Sequence, residues 1–110
     1  MYDSYYVQSA SGGADFSAPI GVSSKSSNPD ASSYNNLMEQ FIGDYIGIVA
    51  GPAQAYLVWT DARDASTCRA VDDYRSAIYS GSKSAVAPNP DKVCATNFGN
   101  TDTEFAAVSY

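Results

Sequence analysis

The sequence has no histidine, only two cysteines, and six Lys+Arg against twelve Asp+Glu. Without histidine there is no Ser-His-Asp or Cys-His nucleophile relay and no imidazole-ligated metal. Two cysteines are too few for a four-thiolate zinc or iron–sulfur site. The scarcity of basic residues, with a net charge of -6 and a pI near 4.1, argues against a nucleic-acid partner, which calls for a basic face. No apolar run approaches the roughly 18 residues of a membrane span. The opening Met1-Tyr2-Asp3-Ser4 lacks the basic and then apolar start of a signal peptide. Long charged side chains are few, and the acids are scattered Asp that form no tail.

What is present is apolar and aromatic. A hydrophobic content of 45% in 110 residues fits one globular unit. The abundance of Ser, Gly, Tyr and Asn fits an extracellular β-protein. Residues 2–8 are aromatic and β-branched, as in a strand. Ser9 to Ala14 form a Gly-containing turn, and Phe16, Ala18, Ile20 and Val22 alternate as a second strand with one buried face, outermost because of Pro19. Residues 23–36 are a polar connection without periodicity. Residues 44–50 are almost wholly apolar, which predicts a strand buried on both faces, with Gly47 at a close backbone approach. A turn at 51–54 leads to a paired strand over 55–60.

A helix is predicted over Arg69–Tyr79, capped by Ser66 or Thr67. Val71, Tyr74 and Ile78 share one face, Arg69 and Arg75 pair with Asp72 and Asp73, and Gly81 is the stop. Residues 82–101 read as loop and 102–109 as the last strand. Asp61 with Asp64, and Asp72 with Asp73, are oxygen donors of the kind Ca²⁺ takes, but no EF-hand spacing supports them and no metal or other cofactor is expected. Cys68 and Cys94 bracket the excursion between the strands. They predict either one disulfide formed in an oxidising compartment or two buried thiols. Closure of such a loop contributes about 3 kcal/mol.

Two stretches resemble a known family. Ser9-Ala10-Ser11-Gly12-Gly13-Ala14-Asp15-Phe16 is similar to the Asp-box of sialidase-like, bacterial neuraminidase repeat proteins, Ser-x-Asp-x-Gly-x-Thr-Trp. Ser9, Gly13 and Phe16 match, Phe standing for Trp, while Ser11 replaces the Asp and Asp15 the Thr. Phe41-Ile42-Gly43-Asp44-Tyr45-Ile46-Gly47-Ile48-Val49, followed by Tyr56-Leu57-Val58-Trp59-Thr60-Asp61-Ala62-Arg63, resembles the inner strand pair of a blade in secreted sialidase-like propellers, Phe-Gly-Asp-Tyr and then Trp-x-Asp-x-Arg. The last strand repeats the first: Asp3-Ser4-Tyr5-Tyr6-Val7 aligns with Asp102-Thr103-Glu104-Phe105-Ala106.

The resemblance implies an all-β fold of four-stranded blades. Residues 1–23 then hold the outer strands c and d of one blade, 24–40 a linker, and 41–110 strands a, b and c of the next, with 64–101 as a short helical insertion. A closed ring of even four blades needs on the order of 160 residues. The chain therefore reads as about 1.25 blades of a longer propeller, or as a piece completed by a strand from elsewhere. The runner-up is an independent small α+β domain.

Sialidase-like enzymes bind the substrate carboxylate with three arginines. They use an Asp as general acid and a Tyr activated by a Glu as nucleophile. That set does not map onto Arg63, Arg69 and Arg75, and Tyr45 has no identifiable Glu partner, since Glu39 and Glu104 lie far off in the implied topology. Asp44, Tyr45, Asp61 and Arg63 are the candidate ligand-face residues, each with a structural alternative as cap, packed ring or turn pair. Ser9, Gly13 and Phe16 are expected to be structural, as is Trp59 in the core. The resulting expectation is a secreted, non-catalytic propeller segment that binds a glycan or an extracellular protein and packs against the rest of its propeller. The alternative is part of an exo-sialidase-like glycoside hydrolase whose catalytic set lies mostly outside this chain.

Overall fold

Five antiparallel strands and two helices follow one another in a computed structural model that describes residues 1–110. The strands are β1 (Tyr5–Tyr6), β2 (Ile20–Gly21), β3 (Ile46–Ala50), β4 (Gln54–Asp61) and β5 (Asp102–Ser109), and the helices are α1 (Arg69–Tyr79) and α2 (Pro90–Val93). They form two sheets, a hairpin β1-β2 and a three-stranded sheet in the order β3-β4-β5.

The predicted N-terminal hairpin is present. Its regular part is short, Tyr5 opposite Gly21 and Tyr6 opposite Ile20, but the pairing runs on through Ser17 N–H to Gln8 O and a Tyr2–Ser27 bridge. The expected buried stripe on its second strand is corrected. Phe16 and Ile20 are exposed, and only Val22 packs against the core. Pro19 and the long turn leave that strand two residues in which to build a ladder, too few to present a stripe.

In the second sheet Ile46 pairs with Trp59 and Ala50 with Ala55, while Gln54 pairs with Ser109 and Asp61 with Asp102. Alternation places Ala55, Leu57, Trp59 and Asp61 of β4 on one face and Tyr56, Val58 and Thr60 on the other. The first, or front, face receives the hairpin. Tyr6 is buried with Ala55, Leu57 and Trp59, and Val22, Ala106 and Val108 pack around them. Trp59 is thus a core residue, as its sequence context predicted.

β3 departs from expectation. Its apolar run predicted burial on both faces, yet Ile46, Ile48 and Val49 are exposed. β3 is an edge strand, the hairpin does not reach across it, and nothing in the chain lies behind it. Gly47 does mark a close approach: a Cβ there would stand 2.8 Å from a Val58 methyl.

α1 spans the predicted residues. Its N-cap is Cys68 rather than Ser66 or Thr67, and no side chain caps it. Val71 is fully buried, and Arg75, one turn on, is also buried while keeping the predicted pairing with Asp72 at 3.7 Å. The short α2 was not anticipated. Asn89 caps it through its side chain and Pro90 occupies its first turn, both ordinary helix-start signals. The predicted disulfide joins Cys68 to Cys94 with Cα atoms 5.2 Å apart, within the roughly 4.4–6.8 Å that such a bond requires.

The segment between hairpin and sheet is packed, not a free tether. It forms a 3-10 turn at Pro29–Ala31 and contributes Ser27, Ala31 and Ser32 to the interior. The radius of gyration is 18.0 Å, against about 13 Å for a compact chain of this length. The molecule is an elongated, one-sided assembly of small antiparallel sheets.

Candidate functional site

The antiparallel turn at 51–53 returns β4 to the sheet end where β3 begins. Gly43-Asp44-Tyr45 therefore lies beside Trp59 and Thr60, with Asp61, Ala62 and Arg63 one step further. The Ser9–Phe16 turn sits at the other end, where Ser9 and Ala10 share a mostly apolar hollow with Ile48, Ala50, Ala55 and Tyr110. The two motif regions occupy opposite ends of the sheet.

At the first end a shallow cavity of about 240 Å³ is lined by Tyr2, Ser4, Gly43, Asp44, Tyr45, Ile46, Trp59 and Thr60. Tyr45 is 87% exposed at its rim. Gly43 has φ 102°, a backbone state that glycine tolerates best, and the Thr60 hydroxyl lies 3.1 Å from where its Cβ would be. The glycine thus lets the chain turn tightly over β4 and present Asp44 and Tyr45 to solvent. Tyr2 closes the floor by donating its hydroxyl to Thr60 O at 3.1 Å.

Asp61 and Arg63 stand behind this cavity and do not line it. Arg63 Nη2 donates to Asp61 Oδ2 at 2.7 Å and its backbone N–H to Asp61 Oδ1 at 2.6 Å, while Trp59 Nε1 reaches Asp61 Oδ2 at 3.4 Å. Arg63 Nη1 donates to Ser24 Oγ at 2.7 Å and lies 3.4 Å from Glu104. Its Nε is buried without a partner. Burial alone would raise the Asp61 pKa. The side-chain and backbone hydrogen bonds from Arg63, its charge, and the indole N–H outweigh that and hold the carboxyl below its usual range. The bond to Asp61, against desolvation, raises the Arg63 guanidinium. The Trp-x-Asp-x-Arg stretch is thus a closed ionic lock that fixes the end of β4 onto Ser24 and β5.

The other arginines are also engaged. Arg69 Nε donates to Asp73 at 3.2 Å on an exposed helix face, as predicted. Arg75, 4% exposed, donates to four carbonyls: Leu37 O at 2.9 Å, Asp30 O at 3.1 Å, Ser32 O at 2.7 Å and Glu39 O at 3.2 Å. Its distance to Asp72 is 3.7 Å. Sequence reasoning missed this role, because nothing local marks an arginine whose partners are distant backbone oxygens. The loop it clamps holds three successive residues with left-handed backbone, Asn35 (φ 48°), Asn36 (φ 53°) and Leu37 (φ 71°).

Neither Glu is hydrogen-bonded to Tyr45. Glu39 bridges Tyr34 through the backbone and Glu104 faces Arg63. No cluster of three or more His, Cys, Asp or Glu with metal-holding geometry occurs. In the Ser9–Phe16 turn, Ser9 Oγ accepts from Gly13 N–H at 2.8 Å and Ser11 N–H at 3.2 Å. Ser11 Oγ, where the motif has Asp, accepts from Asp15 N–H at 2.9 Å. The turn is thus held by its own serines, but Phe16 is 65% exposed and does not pack between strands. Comparison with protein-family models, curated proteins and solved structures finds no match for this chain.

Proposed function

We propose that the chain is a non-catalytic segment of a secreted sialidase-like β-propeller, and that the rim formed by Asp44 and Tyr45 is a glycan-recognition surface. The observation that carries this reading is the pairing of an exposed Tyr45 ring with the Asp44 carboxylate over a shallow cavity floored by Tyr2, Trp59 and Thr60. An aromatic ring offers the apolar face of a sugar a surface to lie on, and a carboxylate accepts from its hydroxyls. The propeller reading is supported by the hairpin, which lies on the front face of the next sheet through Tyr6 as neighbouring blades do. Secretion is supported by the disulfide. The non-catalytic reading is supported by the engagement of Arg63, Arg69 and Arg75 in contacts within the chain, and by Tyr45 having no hydrogen bond to either Glu.

The test is Trp59 fluorescence titrated with neutral and sialylated oligosaccharides, together with turnover of a fluorogenic sialoside. Saturable binding lost in Tyr45→Ala and Asp44→Asn, with no turnover, is the expected result. Sialoside cleavage that disappears in Tyr45→Phe overturns the non-catalytic assignment. The absence of a response to every sugar overturns the glycan assignment.

A further inference from the structure

The back face of the β3-β4-β5 sheet is an uncovered apolar surface. It carries Gly47 and Val49 of β3, Tyr56, Val58 and Thr60 of β4, and Thr103, Phe105 and Ala107 of β5. Val49, Tyr56, Val58 and Phe105 are all exposed, and Phe105 stacks on Tyr56 with ring centroids 6.1 Å apart. With no side chain at Gly47, Val58 leans over β3, so the face is level. It presents roughly 400 Å² of aliphatic and aromatic surface, as much as the functional patches of ordinary monomers.

We propose that this face is a self-association surface, and that its occupant in the free chain is the same face of a second copy. Two observations select that occupant. The face carries no ionised side chain, whereas Asp61, Asp102 and Glu104 all lie on the front parity of the same strands. With a net charge of -6, two copies meet without opposing carboxylates only where charge is absent.

The hairpin covers the front of β4 and β5 through Tyr6 and Val22 and leaves only the β3 edge open there, so the back is the face that all three strands leave free. The face's roughly 400 Å² is about half of what each partner gives to a standard interface, so the dimer is expected to be weak and reversible. Two such faces stacked in an aligned sandwich, about 10 Å apart, interdigitate Phe105, Tyr56 and Val58 about a two-fold axis. The inference stands on this face alone and does not rest on the propeller or glycan readings.

Sedimentation of the full chain at low and high micromolar concentration tests it. The expected result is a reversible rise to twice the 11.6 kDa monomer mass. Phe105→Glu and Val58→Lys should each weaken dimerisation about 100-fold, by burying an unpaired charge at the contact. Phe16→Glu, in the hairpin turn, should leave it unchanged. The near-ultraviolet signal of Trp59 reports that each variant is folded, and either back-face variant suffices. A monomer at every concentration overturns the proposal. So does a dimer that survives both back-face charges, or growth past the dimer, which would place the contact on the strand edges.

Discussion

Removing the Arg75 guanidinium should release the 30–41 loop while leaving the sheet intact. The loop holds three consecutive left-handed residues, and each non-glycine residue in that conformation costs about 1–2 kcal/mol, less for asparagine. Against this stand four hydrogen bonds from a buried cation to Asp30 O, Ser32 O, Leu37 O and Glu39 O. Hydrogen bonds to a charged group contribute about 1.5–3 kcal/mol each, but the sum overcounts because the freed carbonyls turn to water.

A net loss of about 3 kcal/mol for Arg75→Ala follows, enough to cancel the strain that the loop tolerates. In hydrogen exchange this is about a 100-fold loss of protection. It should be confined to Ser32, Tyr34, Met38, Glu39 and Phe41, whose amides are bonded within the loop. Amides of β4 should keep their rates. Arg75→Lys keeps the charge but not the planar fork, and should recover only part of the protection. Unchanged exchange across 30–41 in Arg75→Ala, with α1 still folded, would refute the clamp.

Reduction of Cys68–Cys94 should raise exchange throughout 69–93 and leave the 54–61 amides protected, because the cross-link lies outside the sheet ladder; equal protection with and without reductant would remove that role. The Asp61 carboxyl has a folded-state pKa below its unfolded value of about 3.9. Its contribution is therefore complete above that unfolded value and is lost as pH falls through the lower folded one. Thermal unfolding followed down to pH 2 should show an acid limb that flattens in Asp61→Asn, at a cost of about 3 kcal/mol at neutral pH. An acid limb identical in the variant would assign acid lability to other groups.

The elements legible in the sequence are those with local signals. The strand over 102–109, the helix over 69–79 and the 44–60 hairpin show clear runs or periodicity, and the cysteine pair brackets its own loop. Burial was the part that failed. An apolar run such as 44–50 records that a strand is meant to be covered, not that the cover lies within the same chain, so Ile46, Ile48 and Val49 emerge exposed. The polar stretch 23–36 erred in the other direction: Ser27 and Ser32 are interior because their hydroxyls serve Ala62 N–H and Phe41 N–H. Of the candidate site, Asp44 and Tyr45 reach one cavity, but Asp61 and Arg63 neutralise each other behind it. Arg75, whose partners lie in a distant loop, had no local pattern to betray it.

The chain leaves the sheet at Asp61 and re-enters at Asp102, its direct ladder partner. Between these points lies a segment closed at its neck by a cross-link with Cα atoms 5.2 Å apart. Such a neck isolates what hangs from it. The length and sequence between the cysteines can change without altering the register of β4 on β5, because the closure entropy is already met by the bond. Two fastenings limit that freedom: Arg75 in the 30–39 loop, and Gly99 N–H to Ala31 O at 2.8 Å. The excursion is thus an exchangeable cassette on a constant frame. Variants that swap residues 76–93 while keeping Val71 and Arg75 should retain the three-stranded sheet and present a different surface.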